Sequence, residues 1–255
     1  MRALSAFELL AVWERGLSQT PFERALGLLG AACAGEPPEA LARLSVGERD
    51  ARLLTLREWT FGRQLVGLVS CPGCGERLEI NLDAADLRVG PWAEGGREAA
   101  GATPGPLTVT AGGYEVSFRL PNNSDLAAVA AGPPAASVAD AAASLLERCL
   151  VEARRGGGPV RAAELPPEVA EAIAGRMAEA DPQAEVGLAL DCPACGESWR
   201  APFDIESFFW DEIGAWARRV LGEVHVLASS YGWRESDILN MSAWRRQFYL
   251  DLIGA

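Results

Sequence analysis

The chain has 255 residues, with 35 acidic side chains against 23 basic ones and a formal net charge of −12. This length accommodates one or two domains with a buried core, and an apolar content of 49% is too high for a disordered chain. The acidity argues against broad contact with nucleic-acid phosphates and suits protein partners, and no run reaches the roughly 18 apolar residues of a membrane span.

The predicted elements start with helices. Residues 4–16 carry Phe7, Leu10, Val12 and Trp13 as an approximate apolar stripe, with Glu8 and Glu14 outside it. These acids, and the lack of a long apolar stretch, give no sign of a signal peptide, so a cytoplasmic location is expected. Thr20-Pro21 supplies a cap followed by proline at the first helical position, and Phe22, Leu26, Leu29 and Cys33 follow at helical spacing. A short helix is expected around 38–44. Ser45-Val46-Gly47-Glu48 has the capping-box pattern and opens a helix that ends near Gly62.

Leu78, Ile80 and Leu82 then alternate with polar residues as a half-buried strand. Residues 89–106 are rich in Gly, Pro and Ala and read as a loop. Leu107–Thr110 and Tyr114–Leu120 flank Gly112-Gly113, a strong hairpin signal. Residues 124–154 read as helix, Arg154–Pro159 as a flexible link, and Pro166-Pro167 opens another helix that Asp181-Pro182 closes. Val186, Leu188 and Leu190 alternate as a strand. From Ile205 a long amphipathic helix carries Phe209, Ile213, Trp216, Val220, Val224 and Leu227, interrupted at Tyr231-Gly232-Trp233. Ser236 and Ser242 can cap two short closing helices, the second with Trp244, Phe248 and Leu252 at i, i+4 spacing.

Two short stretches organise this chain. Cys71-Pro72-Gly73-Cys74-Gly75-Glu76 and Cys192-Pro193-Ala194-Cys195-Gly196-Glu197 are near copies. Each is a knuckle, a tight turn that lets two thiolates converge on one metal ion. Leu82-Asp83 and Phe203-Asp204 follow them at matching distances, as expected for one site built from two related hairpins. Four thiolates from Cys71, Cys74, Cys192 and Cys195 suit tetrahedral Zn²⁺ and leave no open position for catalysis. Iron in the same geometry, as in a rubredoxin-like electron carrier, is the alternative. Cys33 and Cys149 lie among Ala and Leu in helical patterns and read as buried packing residues.

Catalytic signatures are missing. There is no nucleophile elbow, phosphate-cradling loop or zinc-protease motif, and Gly156-Gly157-Gly158 lacks the following Lys and reads as a linker. His225, the only histidine, sits between two valines and reads as a packing or surface residue. Asp83 and Asp204 read as turn or cap residues. Arg245-Arg246 beside aromatics is the one basic–aromatic cluster, so a zinc-ribbon regulator binding nucleic acid is a second functional reading, disfavoured by the acidity. The C-terminal aromatics are the candidate interaction surface, with Trp233, Trp244, Arg245, Arg246, Phe248 and Tyr249 as its expected partner-binding residues.

One family resemblance extends this reading. Phe118-Arg119-Leu120-Pro121 with Asp125, Phe203-Asp204-Ile205, Glu212-Ile213, Glu223-Val224-His225, Leu227-Ala228 and Tyr231-Gly232-Trp233 occur in that order. Ile238-Leu239, Arg245-Arg246 and Tyr249-Leu250 close the chain. This order resembles the T-even-type phage baseplate hub assembly chaperones, relatives of which occur in gene clusters for phage-tail-like contractile injection systems. The resemblance covers the second half best. It implies no enzyme activity and a role in baseplate or tail assembly, with hub, spike or other baseplate proteins as partners.

The expected fold is therefore α+β and mainly helical, with a small zinc-ribbon-like β unit. Residues 1–66 form an N-terminal helical region. Residues 67–204 form the cysteine-bearing β unit with a helical insertion at about 124–180, and residues 205–255 form aromatic-rich helices.

Overall fold

The computed structural model describes residues 1–90, 105–132 and 137–254. In chain order the helices are α1 (Ala6–Gly16), α2 (Pro21–Ala32), α3 (Pro38–Ala42), α4 (Val46–Phe61), α5 (Asn123–Ala131), α6 (Val138–Cys149), α7 (Pro167–Ala180), α8 (Ile205–Tyr231), α9 (Glu235–Leu239) and α10 (Ala243–Leu252). The strands are β1 (Gln64–Ser70), β2 (Arg77–Asp83), β3 (Leu107–Ala111), β4 (Tyr114–Phe118), β5 (Leu150–Arg155), β6 (Gly158–Pro159), β7 (Val186–Asp191) and β8 (Ser198–Phe203). The expected α+β, mainly helical class is what is observed. Most of the predicted loop at 89–106 lies outside the described residues.

The chain divides into two compact units, Met1–Pro37 with Ile205–Ala255, and Pro38–Asp204. The first is a helical bundle. Ser5 with Glu8, and Thr20 with Glu23, form capping boxes that start α1 and α2, with Pro21 at the first position of α2. The α8 stripe buries Phe209, Ile213, Val220, Val224 and Leu227, and Leu10 of α1 joins its core with Ile238, Leu239 and Leu250. On α1 the buried apolar side chains are Leu9, Leu10 and Val12, whereas Phe7 is exposed, so the face is rotated from the expected stripe. Gly16 is a packing requirement, because a Cβ there would lie 2.1 Å from the Trp210 ring, over which Arg24 also stacks at 4.7 Å. Gly232, at φ 71°, ends α8 by donating its N–H to the Ala228 carbonyl. Ser242 caps α10 as expected, whereas α9 begins after Arg234 and Ser236 lies inside it.

Among its described residues the second unit carries three antiparallel sheets: β1-β2, β7-β8 and the four-stranded β3-β4-β5-β6. Gly112 and Gly113, both at positive φ, make the two-residue turn between β3 and β4, as the sequence predicts. Tyr114, Val116, Phe118 and Ala153 of this sheet pack on Val169 and Ile173 of α7.

Two local expectations are corrected here. Residues 150–155 form strand β5, not the end of a helix, and Arg154–Pro159 is a hairpin, not a link, turning on Gly156 and Gly157 at φ 56° and 81°. The pairing of Val116 with Ala153 and Glu115 with Arg154 shows why. The open edge of β4 recruits a segment whose composition alone favours helix, so tertiary pairing overrides local propensity.

Polar groups fix the connections. Buried Arg57 donates to the carbonyls of Gly62 and Gln64, both at 2.8 Å, and so sets the turn from α4 into β1. Gln183 bridges the Leu87 carbonyl (3.0 Å) and the Val89 N–H (2.9 Å), and Asp181 accepts from Gly47 N–H at 2.9 Å. Asp125 is buried, accepts both Arg119 guanidinium nitrogens (2.5 and 2.9 Å) and Arg148 Nε (3.3 Å), and closes a capping box with Asn122 at the start of α5. Pro121 accepts Val46 N–H, which ties the same turn to α4. The Phe118-Arg119-Leu120-Pro121 and Asp125 motif is thus a corner that joins β4, α5 and α4.

Burial pushes the Asp125 carboxyl up, but Arg119, the Asn122 N–H and Arg148 together hold it below the usual range. Its stabilising charge is therefore present above the unfolded carboxylate value and lost as pH falls through the lower folded one. Asp125→Asn should cost about 2 kcal/mol at pH 7, and the difference from the unmodified chain should shrink below about pH 4. Urea unfolding at both pH values checks this.

Candidate metal centre

Hairpins β1-β2 and β7-β8 each end in a knuckle, with Ser70 opposite Arg77 and Asp191 opposite Ser198. The turns are the same in atomic detail. Cys71 N–H donates to the Glu76 carbonyl at 2.9 Å and Gly75 N–H to the Cys71 carbonyl at 2.9 Å. Cys192 N–H donates to the Glu197 carbonyl at 2.8 Å and Gly196 N–H to the Cys192 carbonyl at 2.9 Å. Gly75 and Gly196 both take φ 76°, a backbone state that side chains with a Cβ resist. The sequence repeat is therefore a structural repeat.

The two knuckles meet. Cys71 Sγ lies 3.6 Å from Cys195 Sγ, Cys74 Sγ lies 3.7 Å from Cys192 Sγ, and all four sulfurs fall within 4.8 Å of one another. A Cβ built on Gly73 would lie 3.4 Å from Glu197 Cβ and 3.6 Å from Cys195 Sγ, which shows how closely the turns face each other. Metal–sulfur bonds of about 2.3 Å in a tetrahedron set sulfur–sulfur edges of about 3.8 Å, so the four thiols fit one such ion. Cys71 and Cys192 are buried, whereas Cys74 and Cys195 are exposed.

The electrostatics agree with that fit. The Cys195 N–H pointing at the Cys192 sulfur leads the influences that, against burial, bring the Cys192 thiol down to about 7. At Cys195 the Glu197 N–H acts in the same direction, but Cys74, burial, Cys71 and Cys192 together push the thiol up to about 12. Four sulfurs this close resist losing all their protons without a cation among them.

The other predicted residues fall into clear places. Cys33 and Cys149 are buried packing residues, and burial pushes the Cys149 thiol up to about 11. His225 is exposed on α8. Asp83 has a turn role, accepting from Ala85 N–H at 2.9 Å and pairing with Arg63 at 3.0 Å. At the C-terminal end, Trp244 is 77% exposed and Phe248 48%, with their rings stacked at 5.8 Å. Leu252, 63% exposed, extends that stripe; its i+8 spacing from Trp244 is the sequence signal for it. Trp233 and Tyr249 are half-buried and pack edge to face at 4.8 Å, and Arg245 lies 5.8 Å from the Tyr249 ring centre. Arg246 is buried, bonded to Glu223 and the Met241 carbonyl at 2.8 Å each, and anchors α10 from beneath. No helix among the described residues is long and apolar enough to cross a membrane.

Because nothing lies within 4 Å of a Cβ built on Gly75, its replacement tests the backbone alone. Gly75→Ala should cost about 1 kcal/mol through the positive φ, and Gly196→Ala should match it, as read by denaturant unfolding.

Comparison with known proteins gives one family. No curated protein and no solved structure matches the chain. Residues 16–210, most of the length and including both knuckles, match the family described as T4 bacteriophage base plate protein, and the chain belongs to that family.

Proposed function

We propose that this protein is a non-catalytic protein-binding factor in base plate or tail assembly, an assembly chaperone or a minor component, with one structural zinc ion. The carrying observation is the family match over residues 16–210. The particle would be a phage or a phage-tail-like contractile injection system, and the partner a hub, spike or other base plate protein.

Zinc is the ion we assign because four cysteine sulfurs within 4.8 Å of one another, two pairs of them at 3.6 and 3.7 Å, suit a closed structural zinc site, with iron in the same four-thiolate geometry as the alternative. When bound, it would supply a cross-link and no reaction. The chain's own part is to present the sulfurs on two rigid turns. The partner surface we assign is the exposed aromatic end, Trp244 and Phe248 with Arg245, backed by Trp233 and Tyr249 and anchored by Arg246. Large aromatic side chains exposed side by side are the usual anchors of protein interfaces. This end lies outside the residues 16–210 that match the family.

Native mass spectrometry of the protein co-expressed with base plate proteins tests both parts. One zinc per chain and a discrete complex are expected, and removal of the metal should lower the thermal midpoint by about 10 °C. Trp244→Ala and Phe248→Ala should weaken partner capture at least roughly tenfold without lowering the midpoint, because both side chains are already in solvent. Normal capture by both variants would place the surface elsewhere.

A further inference from the structure

We propose that the four-cysteine cluster is also a peroxide-reactive modification site, which closes two disulfides across the knuckles, Cys71–Cys195 and Cys74–Cys192, when no metal holds the sulfurs. This deepens the metal-centre reading by naming a second state of the same residues, and it rests on that reading only for the state with which it competes.

The geometry supplies the argument. Two close sulfur contacts, 3.6 and 3.7 Å, run between the hairpins, within a cluster whose four sulfurs all lie within 4.8 Å of one another. A disulfide needs about 2 Å between sulfurs, so each pair has less than about 2 Å to close. Each cross pair also joins unlike partners. Cys195 and Cys74 are exposed, where a small oxidant reaches them, and Cys71 and Cys192 are buried beside them. An accessible thiol with a shielded second thiol in reach is the arrangement that turns peroxide oxidation into a disulfide instead of overoxidation.

The chemistry balances with hydrogen peroxide as oxidant. The Cys195 thiolate attacks one peroxide oxygen. The O–O bond breaks, an S–O bond forms, and hydroxide leaves, so the sulfur is oxidised to the sulfenic acid and the peroxide is reduced. The Cys71 thiolate then attacks that sulfur. The S–S bond forms, the S–O bond breaks, and a second hydroxide leaves. With the two thiol protons, each pair yields one disulfide and two waters per peroxide. Cys74 and Cys192 repeat the sequence. The product ties the two hairpins together covalently, as the metal would.

Cleavage after arginine makes the connectivity directly readable. Cys71 and Cys74 share the peptide Gln64–Arg77, and Cys192 and Cys195 share Met177–Arg200. The full-length protein, stripped of metal and treated with hydrogen peroxide, should yield these two peptides joined, with Cys33 and Cys149 still reduced. Zinc added beforehand should slow the joining at least roughly tenfold. The double variant Cys74→Ser, Cys192→Ser should still cross-link, whereas Cys74→Ser, Cys195→Ser should not. Two separate peptides, each with an internal disulfide, would overturn the proposal, as would oxidation that stops at sulfinic or sulfonic acid. Joined peptides from a protein that binds no zinc would sink the metal reading and leave this inference standing.

Discussion

The meeting of four sulfurs from two turns 118 positions apart is the constraint on which the second unit depends. A two-stranded hairpin alone is marginal in water. Here two such hairpins, β1-β2 and β7-β8, each have their own ladder, and the sulfur cluster is where their tips converge. Everything between the knuckles, including the four-stranded sheet and α5 to α7, forms the loop that this convergence closes. Closing so long a loop is entropically unfavourable, so a bound ion would convert its binding free energy directly into folding free energy. The hydrogen bonds between Asp181 and Gly47, and between Gln183 and both Leu87 and Val89, join the same distant segments by a second route. They orient the chain on either side of the loop and so limit how far the knuckles must search.

Much of this was legible in the sequence for identifiable reasons. The repeated Cys-Pro-x-Cys-Gly-Glu turn is readable because a knuckle needs two thiols at fixed spacing and a glycine at positive φ, and both copies satisfy that. The helix starts at Thr20 and Ser242 are readable because caps are local, and the α8 stripe because its period is long and regular. What was missed depends on distant partners. Strand β5 forms because β4 offers it an edge, and no local signal announces that. Arg57 and Asp125 look like surface charges in sequence, and only the fold shows them as buried ties, Asp125 held by half-buried Arg119. The exposure of Phe7 and Trp244 follows likewise from which faces find neighbours.

The matched residues, 16–210, include both knuckles, the Arg119–Asp125 corner and the four-stranded sheet. The remaining helices carry exposed aromatic side chains on a frame that the Arg246–Glu223 pair holds from within. A stable frame carrying an apolar stripe in water is what a protein-binding factor requires, since the stripe gains free energy only when a partner covers it.

The central claim is that convergence of the four cysteines on one ion holds the two hairpins in place. Hydrogen exchange of the purified protein, followed by mass spectrometry with and without a chelator, tests it most directly. The account predicts that metal removal speeds exchange in both 64–83 and 186–203 together, while α8 in the helical bundle keeps its protection. Unchanged exchange in the two hairpins after the metal is gone, or a protein that never carried metal, would contradict it.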